Sequence, residues 1–224
     1  MPASRAVYIL RQVCHSLGEA HAAGLVHRDI KPANIFVCRY GSDFDFVKVL
    51  DFGVVKQQNL ADDPALTAQG LVGTPAFLAP EMATGAELDG RADIYALGCV
   101  AYWLLTGQLV FEADNLLALA TKHVNEEPVP PSQRTELDIP ADLEAVVMDC
   151  LRKKPADRPG SAEELAARLS GCEAADWGKQ EAQSWWQLTS SDGISAPSGT
   201  PPACSTSRSR ARRLRSSTPT KPAL

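Results

Sequence analysis

The stretch GLVHRDIKPANIFV, residues 24–37, sets His27, Arg28, Asp29, Lys31 and Asn34 within eight positions. A carboxylate can orient a hydroxyl and accept its proton, while a nearby ammonium neutralises a phosphate oxygen. A second carboxylate, Asp51, follows two short apolar, β-rich runs, NIFVC and FVKVL. These read as a hairpin with a longish loop, RYGSDFD, between them. A hairpin brings its ends together, so Asp29, Asn34 and Asp51 are expected to converge at one mouth. Two carboxylates and an amide oxygen are hard ligands that suit Mg²⁺, with water and phosphate completing its shell. Lys31 adds a compact positive charge. The chemistry that such a set supports is metal-assisted phosphoryl transfer, which depends mainly on positioning and electrostatics. The competing readings are plainer: a capping or salt-bridged Asp29 and an Asn34 that only bonds its own loop.

The elements that must hold this mouth are mostly helical. Ala6, Val7, Ile9, Leu10, Val13, Cys14, Leu17 and Ala20 share one broad face over residues 3–22, and Gly24 stops that helix. Helical patterns resume at about 92–106, 114–124, 140–152 and 161–169, with a proline-punctuated linker over 126–140. Residues 51–81 are irregular, and so long an irregular segment inside a domain is usually functional. Past Gly171 the periodicity dissolves. A flanking segment with Trp177, Trp185 and Trp186 occupies 171–188, and a basic Ser/Thr/Pro-rich tail expected to be disordered occupies 189–224. The fold class is mainly α, with one small hairpin in a domain spanning 1–170.

Composition excludes several classes. The formal charge of −5 conceals an asymmetry: six basic residues and no acid follow Asp192, leaving the first 192 residues about eleven charges negative. A nucleic-acid-binding core is not expected. The six cysteines form no CxxC pair, so they read as buried or free thiols rather than a zinc site or disulfide framework. The most apolar run, residues 94–105, is far shorter than the roughly 20 residues of a membrane span and reads as a core helix. The start of the chain has no basic-then-apolar leader, so a cytoplasmic protein is expected.

In register, these residues resemble the eukaryotic-type serine/threonine protein kinases, particularly those found in bacteria. HRDIKPAN at 27–34 is similar to the catalytic loop, DFG at 51–53 to the metal-binding motif, and APE at 79–81 to the end of the activation segment. DIYALG at 93–98 is similar to the start of the buried central helix, and Arg158 in DRP to the arginine that pairs with the APE glutamate, Glu81. The resemblance runs from 3 to 170 and implies the C-terminal lobe of an α+β kinase fold. It makes Asp29 the catalytic aspartate and Lys31 the residue that steadies the γ-phosphate, and Lys31 also points to Ser/Thr rather than Tyr substrates. Asn34 and Asp51 would hold Mg²⁺, or Mn²⁺ in its place, and Phe36 with Ile35 and Val37 would floor the adenine of ATP. His27 and Phe52 would be spine residues beside Gly53, and Asp93 would accept backbone hydrogen bonds from the catalytic loop. Arg28 would await a phosphate on the activation segment. Thr67 and Thr74 carry the only hydroxyls between Asp51 and Glu81. Thr74 would contact the catalytic loop, which leaves Thr67 as the phosphorylation candidate.

The same resemblance implies an upper lobe with a β-sheet, a GxGxxG loop and a strand lysine. No two glycines here are one residue apart, and no lysine precedes Lys31. The chain therefore reads as a truncated kinase that starts at an internal methionine. Its autonomous activity is doubtful, because several stabilising groups are missing together. The alternative is a non-catalytic module that docks substrates or pairs with a separate upper lobe or partner kinase. A small-molecule kinase sharing the fold is opposed by GTPAFLAPE, residues 73–81.

Overall fold

The computed structural model describes residues 1–52 and 75–191. Helix α1 (Ala3–Ala22) buries Ala6, Val7, Ile9, Leu10, Val13, Cys14 and Leu17, the face that the spacing marks. Its end is set by Gly24, whose φ of 75° lets Leu25 N–H reach the Ala20 carbonyl at 2.9 Å and Gly24 N–H that of His21 at 2.9 Å. Only a residue without a Cβ adopts this left-handed turn at no steric cost.

Strands β1 (Ile35–Tyr40) and β2 (Asp43–Val49) form the sole sheet among the described residues, antiparallel, pairing Ile35 with Val49 and Val37 with Val47. The connection between them is only Gly41 and Ser42, not the longish loop expected from the sequence. The ladder extends past RYGSDFD because β2 absorbs a bulge: Cys38 pairs with Phe46 but Tyr40 with Asp43. Asp45 takes the irregularity, at φ 53°. Aspartate tolerates that region better than most residues.

The short helix α2 (Pro80–Thr84) leads to α3 (Arg91–Thr106), which is buried nearly all round and forms the axis of the lobe. Helix α5 (Ala141–Cys150) crosses α3 closely at Gly98, where a Cβ would lie 2.6 Å from Cys150 Cβ. Helix α6 (Ala162–Ser170) packs on α1, and α4 (Leu116–Asn125) packs on α2. Asn115 and Ser161 cap α4 and α6 by accepting from Ala118 and Glu164 backbone N–H groups at 2.8 and 3.2 Å. These helices fall within two residues of the expected ones.

Beyond Gly171 the structure is more regular than the sequence reading allows. Helix α7 (Lys179–Ser191) runs three residues past the expected boundary at 188. The first turn of α7 is closed by Glu181, which accepts from Gly178 N–H at 2.9 Å, and Ala182 is fully buried. Among the described residues, no helix is long and apolar enough to cross a membrane. The tail from 192 onward lies outside them.

Candidate active site

Asp93, on the first turn of α3, is completely buried and collects the loop that carries the candidate chemistry. It accepts the backbone N–H groups of His27 and Arg28, both at 2.8 Å. It also meets His21 Nε2 at 2.8 Å, a contact not anticipated. His21 ends α1, six residues before His27, so the helix C-terminus and the loop share one carboxylate. Two charge-assisted backbone hydrogen bonds hold Arg28 in a left-handed conformation, φ 65°.

From this anchor the loop continues to a 3-10 turn, Pro32–Asn34, that opens directly into β1. Asn34 is buried and donates through Nδ2 to the Asp29 carbonyl at 2.8 Å. That bond fixes the amide and turns its oxygen away from the donor side, where it is available as a ligand. Lys31 Nζ donates to Asp29 Oδ2 at 3.0 Å. Both side chains are only about a fifth exposed. The ammonium thus sits next to the carboxylate at the edge of the mouth.

The other half of the mouth comes from the end of β2. Leu50 N–H donates to the Asn34 carbonyl at 2.8 Å, and Leu50 O contacts His27 Nε2 at 2.9 Å. The two strand ends are therefore stapled to each other and to the loop. Asp51 follows at φ 57°, a left-handed residue that turns the chain out of the sheet, and its side chain is exposed. Phe52 packs on the His27 ring, centroids 4.7 Å apart. The loop thus brings Asp29, Lys31 and Asn34 into mutual contact, and the hairpin starts Asp51 one residue beyond the bond from Leu50 to Asn34.

Among the described residues, no three His, Cys, Asp or Glu side chains form a metal cage. Asn34 and Asp51 offer an amide oxygen and a carboxylate, hard oxygen ligands of the kind that Mg²⁺ takes together with water and phosphate. Phe36, on β1, is 57% exposed and so is not part of the core.

Glu81 and Arg158 form the lobe's buried ion pair, Nη1 to Oε1 at 2.7 Å and Nη2 to Oε2 at 2.8 Å. The other donations from Arg158 go to the carbonyls of Arg152, Arg91 and Lys153, and its guanidinium lies over the Tyr95 ring. Every guanidinium donor direction is used, which a lysine could not reproduce. Gly53, Thr67 and Thr74 lie outside the described residues.

Asp45 was missed in the sequence reading. It is buried, and its position in β2 has the parity of Val47 and Val49, the inward face. A carboxylate on a buried parity is a usable signal, but it disappears if the strand is started at Phe46.

The protein kinase domain family matches residues 1–169. The serine/threonine-protein kinase pkn3 of Myxococcus xanthus is 49% identical over 168 residues, 74% of this chain and 31% of that protein. PknB of Mycobacterium leprae is 42% identical over 170 residues, 75% of this chain and 26% of that protein. Pkn1 of Myxococcus xanthus is 47% identical over 161 residues, 72% and 23%. The chain thus spans about a third or less of the length of these curated relatives. With a match across three quarters of its residues and the loop, hairpin and ion pair in place, the chain belongs to the protein kinase domain family.

Proposed function

We propose that this lobe serves a serine/threonine protein kinase, in which the γ-phosphoryl of ATP passes to a protein hydroxyl. The observation that carries the reading is the stapled mouth: Lys31 on Asp29, Asn34 fixed by the Asp29 carbonyl, and Leu50 bonded to both Asn34 and His27. Asp29 orients the incoming hydroxyl and accepts its proton. Lys31, held beside it, offsets charge on the phosphoryl oxygens during transfer. Asn34 Oδ1 and the Asp51 carboxylate would hold Mg²⁺ or Mn²⁺, which would supply positive charge against the phosphates. Phe36 offers the adenine an aromatic floor. Arg28 Nε is buried without a hydrogen-bond partner among the described residues, as a guanidinium reserved for a phosphate on the activation segment would be. Thr67 is the candidate bearer of that phosphate, and Thr74 the candidate contact to the catalytic loop. The names of the relatives, each a serine/threonine-protein kinase, favour the same substrate class.

Protein captured from its native cells, incubated with labelled ATP and mixed protein substrates, should yield phosphoserine and phosphothreonine. Asp29→Asn should lower the rate by about 10²–10⁴-fold, the usual contribution of a positioned base. Label found only on tyrosine, or label indifferent to Asp29→Asn, would overturn the reading.

A second reading is favoured by the exposure of Phe36 and of Leu50, 57% and 42%. An apolar rim beside the mouth is suited to a covering lobe, on the same polypeptide or on another, and a lobe left uncovered would act as a docking module. Titration of the 224-residue chain with MgATP separates the two. Measurable binding favours the catalytic reading, and none favours the module.

A further inference from the structure

Helix α7 and the turn before it lie beyond the matched residues, 1–169, yet they are built into the lobe through one carboxylate. The indole N–H groups of Trp177 and Trp186 donate to Asp45, at 3.1 Å to Oδ2 and 2.8 Å to Oδ1. Arg5, on α1, donates to the same two oxygens, Nε at 2.9 Å and Nη2 at 2.6 Å. Its guanidinium also lies over the Trp185 ring, 4.9 Å from the centroid. Phe44 packs against Trp186, and Lys179 pairs with Asp43 at 2.6 Å on the exposed rim. The Asp45 backbone is tied in as well. Its carbonyl accepts from Gln12 Nε2 at 2.9 Å, and Val47 N–H donates to Gln12 Oε1 at 3.1 Å.

The position of this cluster matters more than its strength. Asp45 is the left-handed residue of the β2 bulge. The bulge sets which residues of β1 face up, because a slip of one position would turn Phe36 inward and Val37 outward. A left-handed non-glycine residue persists where its surroundings over-determine it. Four N–H donors do so here, and half of them come from the segment that precedes and forms α7. Burial alone would raise the Asp45 carboxyl, but its hydrogen bonds to Arg5, Trp186 and Trp177 and the charge of Arg5 hold it below its ordinary value. The ionised form is the one being held.

We propose that the Trp177–Trp186 segment is a strap that clamps the bulged strand β2 through Asp45, and that its release loosens the whole hairpin, including the end that carries Asn34, Phe36 and Leu50. The consequence for nucleotide rests on Phe36 and Asn34 serving as proposed above; the strap itself does not. The strap makes Asp45 a positioning residue, remote from the mouth, and makes the state of the C-terminal segment an input to the site.

Amide hydrogen exchange of the 224-residue chain, read by peptide mass, tests this without any nucleotide. Asp45→Asn keeps a residue that tolerates positive φ but loses the charge and one acceptor. It should speed exchange about tenfold or more in both 177–189 and 35–49, the scale set by one charge-assisted hydrogen bond. Exchange in 91–106 should stay unchanged. If Asp45→Asn also accelerates 91–106, the lobe as a whole has been weakened. The Trp177→Phe/Trp186→Phe double variant, which leaves the Arg5 pair intact, then decides by the same criterion. Faster exchange in 177–189 with 35–49 unchanged would show that α7 is a passenger and overturn the strap. No change in either segment would overturn it equally. Because ATP is absent from the measurement, failure of the kinase reading would leave this outcome standing.

Discussion

Asp93 and Asp45 are both fully buried aspartates that collect several donors, yet they are fed in different ways. Asp93 receives two backbone N–H groups from consecutive residues of one loop, with His21 completing the set. Asp45 receives only side-chain donors, from Arg5 near the start of the described sequence and two tryptophans near its end. Backbone donors belong to the local chain and keep their place as long as the loop exists. Side-chain donors on a separate segment can leave together, and water can then solvate the carboxylate. The first arrangement makes a permanent anchor and the second a detachable joint. Both end on the same hairpin, one through His27 and Leu50, the other through the bulge.

The permanent anchor is most exposed to a change at Asp93 itself. Asp93→Asn replaces one acceptor with a donor facing the His27 and Arg28 amides, so at least one buried amide loses its partner. Unfolding stability should fall by about 3–5 kcal/mol, and exchange should rise throughout 24–34. A fall of under about 1 kcal/mol by denaturant titration would mean that the loop does not depend on its anchor.

Acid acts on Asp45 and also on another buried group. His123 is buried against Phe111 and Tyr95, whose hydroxyl meets its Nδ1 at 2.9 Å. Burial, and then the charge of Lys153, lower its pKa from 6.5 to about 4, against an opposing bond with the Ala76 backbone. The unfolded chain therefore binds more protons than the folded one between those values. Stability should fall as pH drops through that window, by about 3 kcal/mol in all, and then level off for this group. Denaturant midpoints measured from pH 7 to pH 4 check the slope.

Asp45 acts lower on the pH scale. Its folded pKa lies below the unfolded value, so its contribution is full above the ordinary carboxylate range and is lost as pH falls through the folded value. Tryptophan fluorescence should report release of the strap there in the parent chain, and no corresponding transition in Asp45→Asn. The smallest effect belongs to Lys179, whose pair with Asp43 is solvent-exposed. Lys179→Ala should leave the melting midpoint where it is. A clear drop would mean that the strap is held by its rim and not by its socket.

Much of the mouth was legible in the chain because its residues are close in sequence and the hairpin rule joins the rest. Asp29, Lys31 and Asn34 fall within six positions, and Asp51 needs only the pairing of two adjacent strands. The joint at Asp45 was not legible, for two physical reasons. A strand begun at Phe46 leaves the aspartate outside the apolar run, so the inward parity that it shares with Val47 and Val49 goes unread. The partners, Arg5, Trp177 and Trp186, are 40, 132 and 141 residues away. Helix α7 was missed because its polar surface offers little periodicity: among its residues of described burial, only an alanine is completely buried. His21 was overlooked for a similar reason, since a histidine at a helix end has several ordinary readings and only the fold reveals Asp93 beside it.

The buried tie between Glu81 and Arg158 also has a consequence in time. Its partners are 77 residues apart. At the usual pace of about 5–20 residues per second, the arginine is made roughly 4–15 s after the glutamate. For that interval the nascent lobe has the 27–34 loop and the hairpin but lacks the guanidinium that later binds Glu81 and three carbonyls. A ribosome-bound chain halted before Arg158 should therefore be far more open to protease around α2 than one halted after α6.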